Sequence, residues 1–357
     1  MSVLLHTESS LGWGGQEIRI LAEAHAFQAR GWRVLLVCQP KGRILTEARD
    51  AGVPAFPIKM RGALDPVGFA ELRGLMKRER IRVVNTHSSI DSWLAAAAAK
   101  SLGLPVVRSR HVSIRVKRYR VCVYYLADRI ITSGEEIKHV LVSAGVPARK
   151  IVAVPAGVET ARFHPGVSAD RIRKELGLDG PVVGIVAMFR ASKGHAVFLE
   201  AAREVRRIRP ETRFLIVGDG VGRGDIEQRI RQLGLGEVVT LTGFRRDVPE
   251  LMAAMDCVVL PSLRSEATSQ VIPQALALGK SVVASAVGGI PEIIRNGVTG
   301  RLVPPGDANA LARAILSVLE DPDLAGAMAE KGRELVLARF SFDRQIAETE
   351  AVYRGLL

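Results

Sequence analysis

Arg190 and Lys193 sit in the segment AMFRASKGH, after the strand-like run PVVGIV and ahead of an amphipathic stretch. Two cations where a helix begins can grip a diphosphate, because their donors add to the free N–H groups and positive dipole of the helix N-terminus. Taken alone, the pair also suits a solvated loop. A second segment, SEATSQVIPQALALGKSVVAS, sets Glu266 just before an apolar helical stretch and Gln274 inside it. With a helix starting near Gln270 to Ile272, Pro273 falls in its first turn, where its missing N–H does least harm. The amides of Thr268 and Ser269 are then expected to point into a cleft, with Glu266 just ahead of them. A helix cap and an ordinary half-buried amide are the plainer readings of Glu266 and Gln274. A third segment, ESSLGWGGQE, places Gly14 and Gly15 between the strand-like VLLHT and a helix beginning near Gln16, where backbone N–H groups can approach phosphate. It is not the dinucleotide fingerprint: Glu17 follows where a third glycine is needed, and the second strand ends VCQPKG without a carboxylate. Asn85, Thr86, His87 and Asp91 close another run, VVNTHSSIDSW, as acceptor contacts or beside a helix cap at Ser88 or Ser89.

The elements that must hold these loops alternate between β-branched runs and longer amphipathic segments, as in a parallel sheet with covering helices, an α/β fold. SVLLHT, RVLLVC, VVNTH, VVRSR and RIITSG form a first set of strands; PVVGIVAMF, RFLIVGDG, VVTLTG, CVVLPS, SVVAS and GRLVPPG form a second. Between them lies VPAGVETARFHPG, rich in proline and glycine, so the chain is cut near Pro165. Two doubly wound Rossmann-like domains result, residues 1–164 and 165–340. Residues 341–357 form a final helix, begun at Ser341, that packs on either half, with a return to the first half as the working expectation. Ligands bind such sheets at the carboxyl ends of their strands, and every segment above is a strand-to-helix loop.

With 357 residues and a hydrophobic fraction of 48%, each half is large enough to bury a core. No apolar run approaches the ~20 residues of a membrane span. The start, MSVLLHTESS, lacks the features of an export signal, so a cytoplasmic protein is expected. The three cysteines have no metal-site spacing and are read as buried thiols. The net charge of +13 points to anionic partners. From Ser101 to Lys150 there are ten basic and three acidic residues, concentrated in RSRHVSIRVKRYR. The Arg115 to Arg120 cluster suits an anionic acceptor or membrane surface, which would make the protein peripheral on the inner face of the membrane. Nucleic acid is not expected, because no nucleic-acid fold signature accompanies the cluster.

The motifs GWGGQE, FRASKG, GDG, LTGFRRDVPELMAAMDCVVLPS and SEATSQVIPQALALGKSVVASAVGGIPEII stand in the order and spacing of retaining glycosyltransferases of family 4, with the GT-B fold. The resemblance covers nearly the whole chain and is strongest from about Val182 to Pro305. It implies that Arg190 and Lys193 grip the nucleotide diphosphate while Gly14 and Gly15 close over it from the first half. Glu266 resembles the first carboxylate of the family's E-x7-E motif, which holds hydroxyls of the transferred sugar. Ala267, Thr268 and Ser269 follow it on the nucleotide-sugar side, with Gly218, Gly220, Phe244 and Arg245 of the other motifs. His111, at the end of VVRSRH, resembles the histidine that approaches the sugar, though a core histidine is the plainer reading. Two positions depart from the family. Gln274 replaces the second glutamate, a ribose ligand, giving up a charge-assisted bond. Ala267 replaces a glycine, which strains the backbone by ~1 to 2 kcal/mol if φ is positive there.

The resemblance implies a retaining transfer from a nucleotide-diphosphate sugar to a saccharide or glycolipid acceptor, and the residues point to one that needs neither metal nor cofactor. Similar chains are common in bacterial envelope polysaccharide and lipopolysaccharide assembly. Cations and helix N-termini would carry the charge of the leaving diphosphate. The one D-x-D sequence, Asp321-Pro322-Asp323, opens a late helix, a poor place for a metal in the cleft. A sugar-nucleotide epimerase or a catalytically silent sugar-nucleotide binding protein on the same architecture is the alternative.

Overall fold

The computed structural model describes the chain except Met1, Ser113, Arg115, residues 117–120, Ser265, Ala267 and Thr268. Ala267, Thr268 and most of the Arg115 to Arg120 cluster therefore lie outside the described residues. The chain divides into two compact units, Met1–Ala156 with Arg344–Leu357, and Gly157–Asp343.

The first unit carries seven strands: β1 Val3–Glu8, β2 Arg33–Cys38, β3 Ala55–Pro57, β4 Val83–Thr86, β5 Val106–Arg110, β6 Arg129–Thr132 and β7 Ile151–Ala153, in the order β3-β2-β1-β4-β5-β6-β7. The second carries β8 Val182–Val186, β9 Arg213–Val217, β10 Val239–Gly243, β11 Cys257–Leu260, β12 Ser281–Ser285 and β13 Arg301–Val303, in the order β10-β9-β8-β11-β12-β13. All strand pairs named in both sheets are parallel. Parallel neighbours require crossover connections, and helices on both faces bury the sheet, so strands such as RVLLVC and CVVL read as unbroken apolar runs. Each order reverses once, between β1 and β4 and between β8 and β11. These are the switch points where such sheets open a crevice at their carboxyl edge.

Two strands escape the sequence reading. β3 and β7 have three residues each, too few for a period to show. The cut near Pro165 falls inside the second unit, because the preceding residues are clamped there. Val158 donates to Phe340 O at 2.8 Å and accepts from Phe342 N at 2.9 Å. A Cβ on Gly157 would lie 2.5 Å from Phe342 Cα, so only glycine allows that approach. The last helix, Phe342–Arg354, buries Ile346 and Tyr353. Tyr353 packs on Phe27 and Trp32 of the first unit and accepts from Asn85 Nδ2 at 2.7 Å.

Cys38 and Cys257 are buried, and burial pushes the Cys38 thiol up to about 12. Cys122 is exposed, against expectation, because its short helix Cys122–Tyr125 turns Val123 and Tyr124 inward instead.

Candidate active site

In the second unit the loops after β8 and β11 are built against each other. Phe189 is fully buried edge-on to His195, with 5.1 Å between ring centroids, and anchors the turn from which Arg190 projects into solvent. Gly194 then opens the helix His195–Ile208 with φ +75. A Cβ there would lie 1.9 Å from Pro261 O, so both the left-handed backbone and the close approach demand glycine. Leu263 N donates to Ser192 O at 2.8 Å and completes the junction.

This junction brings Lys193 Nζ to 2.6 Å from Glu266 Oε1, which also accepts from Ser262 Oγ at 2.6 Å. Glu266 is 8% exposed. Its backbone rests on a glycine pair after β12: Gly289 N donates to Glu266 O at 2.8 Å, and a Cβ on Gly288 would lie 2.2 Å from the same oxygen. Ser262, Gly288 and Gly289 were missed as site residues. The GG doublet two residues past a buried strand was the available signal. Arg190 carries no ion pair among the described residues, so its charge is open to a ligand.

The other residues expected here differ in how far they are available. Ser269 is buried beside the start of the helix Val271–Ala277, and Pro273 lies in its first turn as expected. Gln274 is half-buried on that helix and makes no side-chain hydrogen bond among the described residues. Gly218 and Gly220 have φ +142 and +151, and a Cβ on Gly218 would lie 2.0 Å from Ala187 O. They let the loop after β9 lie on the loop after β8. Phe244, at the end of β10, is 73% exposed. Arg245, also expected on the donor side, has its guanidinium held by Asp247 and Glu175, each at 2.6 Å, and both bonds raise its pKa. Local sequence could not show that Glu175, far upstream, would claim it. Asp321 of the D-x-D sequence accepts from Leu324 N at 3.0 Å and caps the helix Pro322–Arg339.

The first unit treats its polar groups differently. Gly14 and Gly15 start the helix Gly15–Ala29, and Gly14 N donates to Glu17 Oε2 at 2.9 Å. Neither glycine has a positive φ; a Cβ on Gly14 would have only Glu17 Oε2 nearby, at 3.7 Å, and one on Gly15 would meet nothing within 4 Å. Protein packing therefore does not require glycine at either position. Glu8, missed in the sequence, ends β1 fully buried and accepts from Ser10 N at 2.7 Å and from Gln16 and Ser88. Burial first, and then the Asp91 charge, raise its carboxyl to about 7.

His6, His87 and His111 form a hydrogen-bonded row, with His6 Nδ1 to His87 Nε2 at 2.8 Å and His87 Nδ1 to His111 Nε2 at 3.0 Å. Burial lowers His6 to about 4 and holds His87 and His111 well below the usual histidine range, so the row is neutral near pH 7. His111 is the partly exposed end and His6 the buried one. The acceptor-side set is corrected here. Asn85, Thr86, His87 and Asp91 are all buried, and their polar atoms serve the fold. Asn85 accepts from Ser109 and donates to Tyr353; Thr86 accepts from Ser92; Asp91 accepts from Thr7, Ser9 and His87 N. Asp91, pushed up by burial, braces the β4 loop and does not present itself to a ligand.

Residues 13–162 match the model of glycosyltransferase family 4 and residues 168–335 that of glycosyl transferases group 1. The alpha-D-kanosaminyltransferase of Streptomyces kanamyceticus is 30% identical, over 95% of this chain and 98% of its own length. The UDP-Gal:alpha-D-GlcNAc-diphosphoundecaprenol alpha-1,3-galactosyltransferase of Escherichia coli is 27% identical, over 89% of this chain and 88% of its own. Among solved structures, Anabaena Alr3699/HepE in complex with UDP superposes with a TM-score of 0.90 over the whole of both chains at 23% identity, a likeness of fold.

Proposed function

Because the chain belongs to the family-4 glycosyltransferases of GT-B fold and uses a nucleotide sugar, we propose that it works with retention of configuration and without a metal. The acceptor is a saccharide or glycolipid of the bacterial envelope, met at the inner face of the membrane. No described helix is long and apolar enough to cross a membrane.

The observation that carries the reading is the Lys193–Glu266 pair beside the unpaired Arg190. A leaving diphosphate gathers negative charge, and two cations at fixed positions stabilise it without reorganisation at the moment of reaction. In the free protein Lys193 is neutralised by Glu266. An arriving diphosphate shares Lys193, and Glu266 then turns to the sugar hydroxyls that follow the phosphates into the site. Front-face attack, with the departing phosphate taking the acceptor proton, forms the new bond on the side the old one leaves. The α-1,3 linkage made from UDP-Gal by the E. coli relative supports retention. Gln274 can donate to and accept from a ribose diol.

The test is transfer from a panel of nucleotide sugars by the whole chain, with and without a chelator, and the product anomer read by NMR. An α product formed equally in chelator is expected. An inverted product, or activity lost to chelation and restored by a divalent cation, would overturn the proposal.

A further inference from the structure

Arg108 and Arg110 alternate along β5, so both project from the same face of the sheet, and both guanidiniums lie over the ring of Tyr124, at 4.5 and 5.8 Å from its centroid. Arg108 is 7% exposed. Its Nε and Nη1 are buried without a hydrogen-bond partner, as is Nε of Arg110. The two Nη atoms of Arg110 bond Tyr124 Oη and Ile114 O. Arg108 Nη2 makes no hydrogen bond among the described residues either. Neither arginine has a carboxylate at ion-pair distance among the described residues. Asp91 is the acid whose field reaches Arg108, and its oxygens are already taken by Thr7, Ser9 and His87 N.

Two like charges thus share one poorly solvated place. Burial, and next to it Arg108, act against the charge of Arg110, while Tyr124 supports it. Contact with one aromatic face is a weak substitute for a counter-ion, and a buried charge is ordinarily paired. The unmade N–H groups call for an anion, and planar guanidinium forks match phosphate oxygens bidentately. The strand runs directly into His111 and neighbours β4 at the switch point, on the acceptor-side unit.

We propose that Arg108 and Arg110 form an anion subsite for a phosphoryl group carried by the acceptor, as a soluble sugar phosphate or a lipid-linked one. The word acceptor rests on the transferase reading; the phosphoryl site does not. The first probe is inorganic pyrophosphate, titrated calorimetrically into the whole chain carrying Arg190→Ala and Lys193→Ala, so that the donor loop is silent. Binding is expected to persist in that background and to weaken at least tenfold on adding Arg108→Met or, separately, Arg110→Gln. Because the charge is unpaired until the anion arrives, Arg108→Met alone should leave the Tm of the free protein unchanged or raised. No pyrophosphate binding in the donor-silent background, or binding unaffected by both arginine substitutions, overturns the subsite. If Arg108→Met does not fold, the two guanidiniums are structural and the proposal fails unless Arg110→Gln, folded, still abolishes binding. Kinetics of Arg110→Gln with a soluble sugar phosphate and with a short-chain lipid-linked sugar diphosphate then identify the source, as the acceptor whose KM rises tenfold or more. An equal rise with an acceptor lacking phosphate would also count against the subsite. Failure of transfer with every acceptor would remove the proposed function and leave the pyrophosphate result standing.

Discussion

The loop after β8 and the loop after β1 hold the same place in their respective sheets, but their polar groups are kept in opposite states. At β8, Arg190 is exposed and Lys193 sits 2.6 Å from Glu266, so charge is retained by solvent or by pairing. At β1, Glu8 is buried and raised to about 7, and His6 nearby is lowered to about 4, so burial drives both toward neutrality. A diphosphate needs fixed positive charge. Neutral groups can instead donate to and accept from hydroxyls without drawing in counter-ions. One topology therefore keeps its loop groups either charged or neutral, and the depth at which those residues sit decides which.

The sharpest way to break this contrast is to remove the charge at β8. Lys193→Ala should lower kcat/KM by about 10²- to 10³-fold, the range seen when a preorganised transition-state donor is lost. It should also weaken free nucleoside diphosphate, while Arg190→Ala does so with less effect on kcat. Steady-state kinetics and calorimetry check both; diphosphate affinity untouched in both variants would remove the β8 loop from the site.

The complementary change at β1 tests whether burial is what neutralises Glu8. Its folded pKa of about 7 lies above the 4.5 of an ordinary glutamate. Between those values the folded state keeps a proton that the unfolded chain has released, so stability falls as pH rises through that window and the cost is complete above it. Glu8→Gln removes the titration. It should stabilise the protein by roughly 2 kcal/mol at pH 8, after allowance for coupling to Asp91, and by little at pH 4.5. Urea unfolding at the two pH values measures this, and an equal effect at both would mean that Glu8 does not titrate in that range.

A smaller effect separates Glu266 from Gln274. If Glu266 holds the transferred sugar, Glu266→Gln exchanges a charged acceptor for a neutral one there and should cost about tenfold in kcat, or ~1.4 kcal/mol. If Gln274 meets the ribose, Gln274→Ala should raise the donor KM with kcat nearly kept, since such a contact is uniform binding. The reverse pattern with one donor would exchange their roles.

The smallest expected change in stability is at Gly15. Nothing lies within 4 Å of a Cβ there, so Gly15→Ala should shift stability by no more than about 0.5 kcal/mol. If the bare backbone is kept for the donor, its KM should nevertheless rise. An unchanged KM would make the loop a plain helix start.

The parallel sheets, the loops at their carboxyl edges and Pro273 in the first turn of its helix were legible in the sequence, because each rests on a period or a capping rule that acts over a few residues. The same local reach explains the limits. β3 and β7 are too short to carry a pattern, and the Pro- and Gly-rich run before Pro165 looks like a linker until Val158 is seen bonded to Phe340 and Phe342. Which polar side chains remain available was decided only by tertiary structure. Arg245 is claimed by Glu175, Asn85 by Tyr353, and the backbone of Glu266 by Gly288 and Gly289, each across long separations along the chain. Residue type and spacing determine what chemistry a loop can offer. Desolvation and long-range partners determine which of those groups stay charged, and they exist only once the chain has folded.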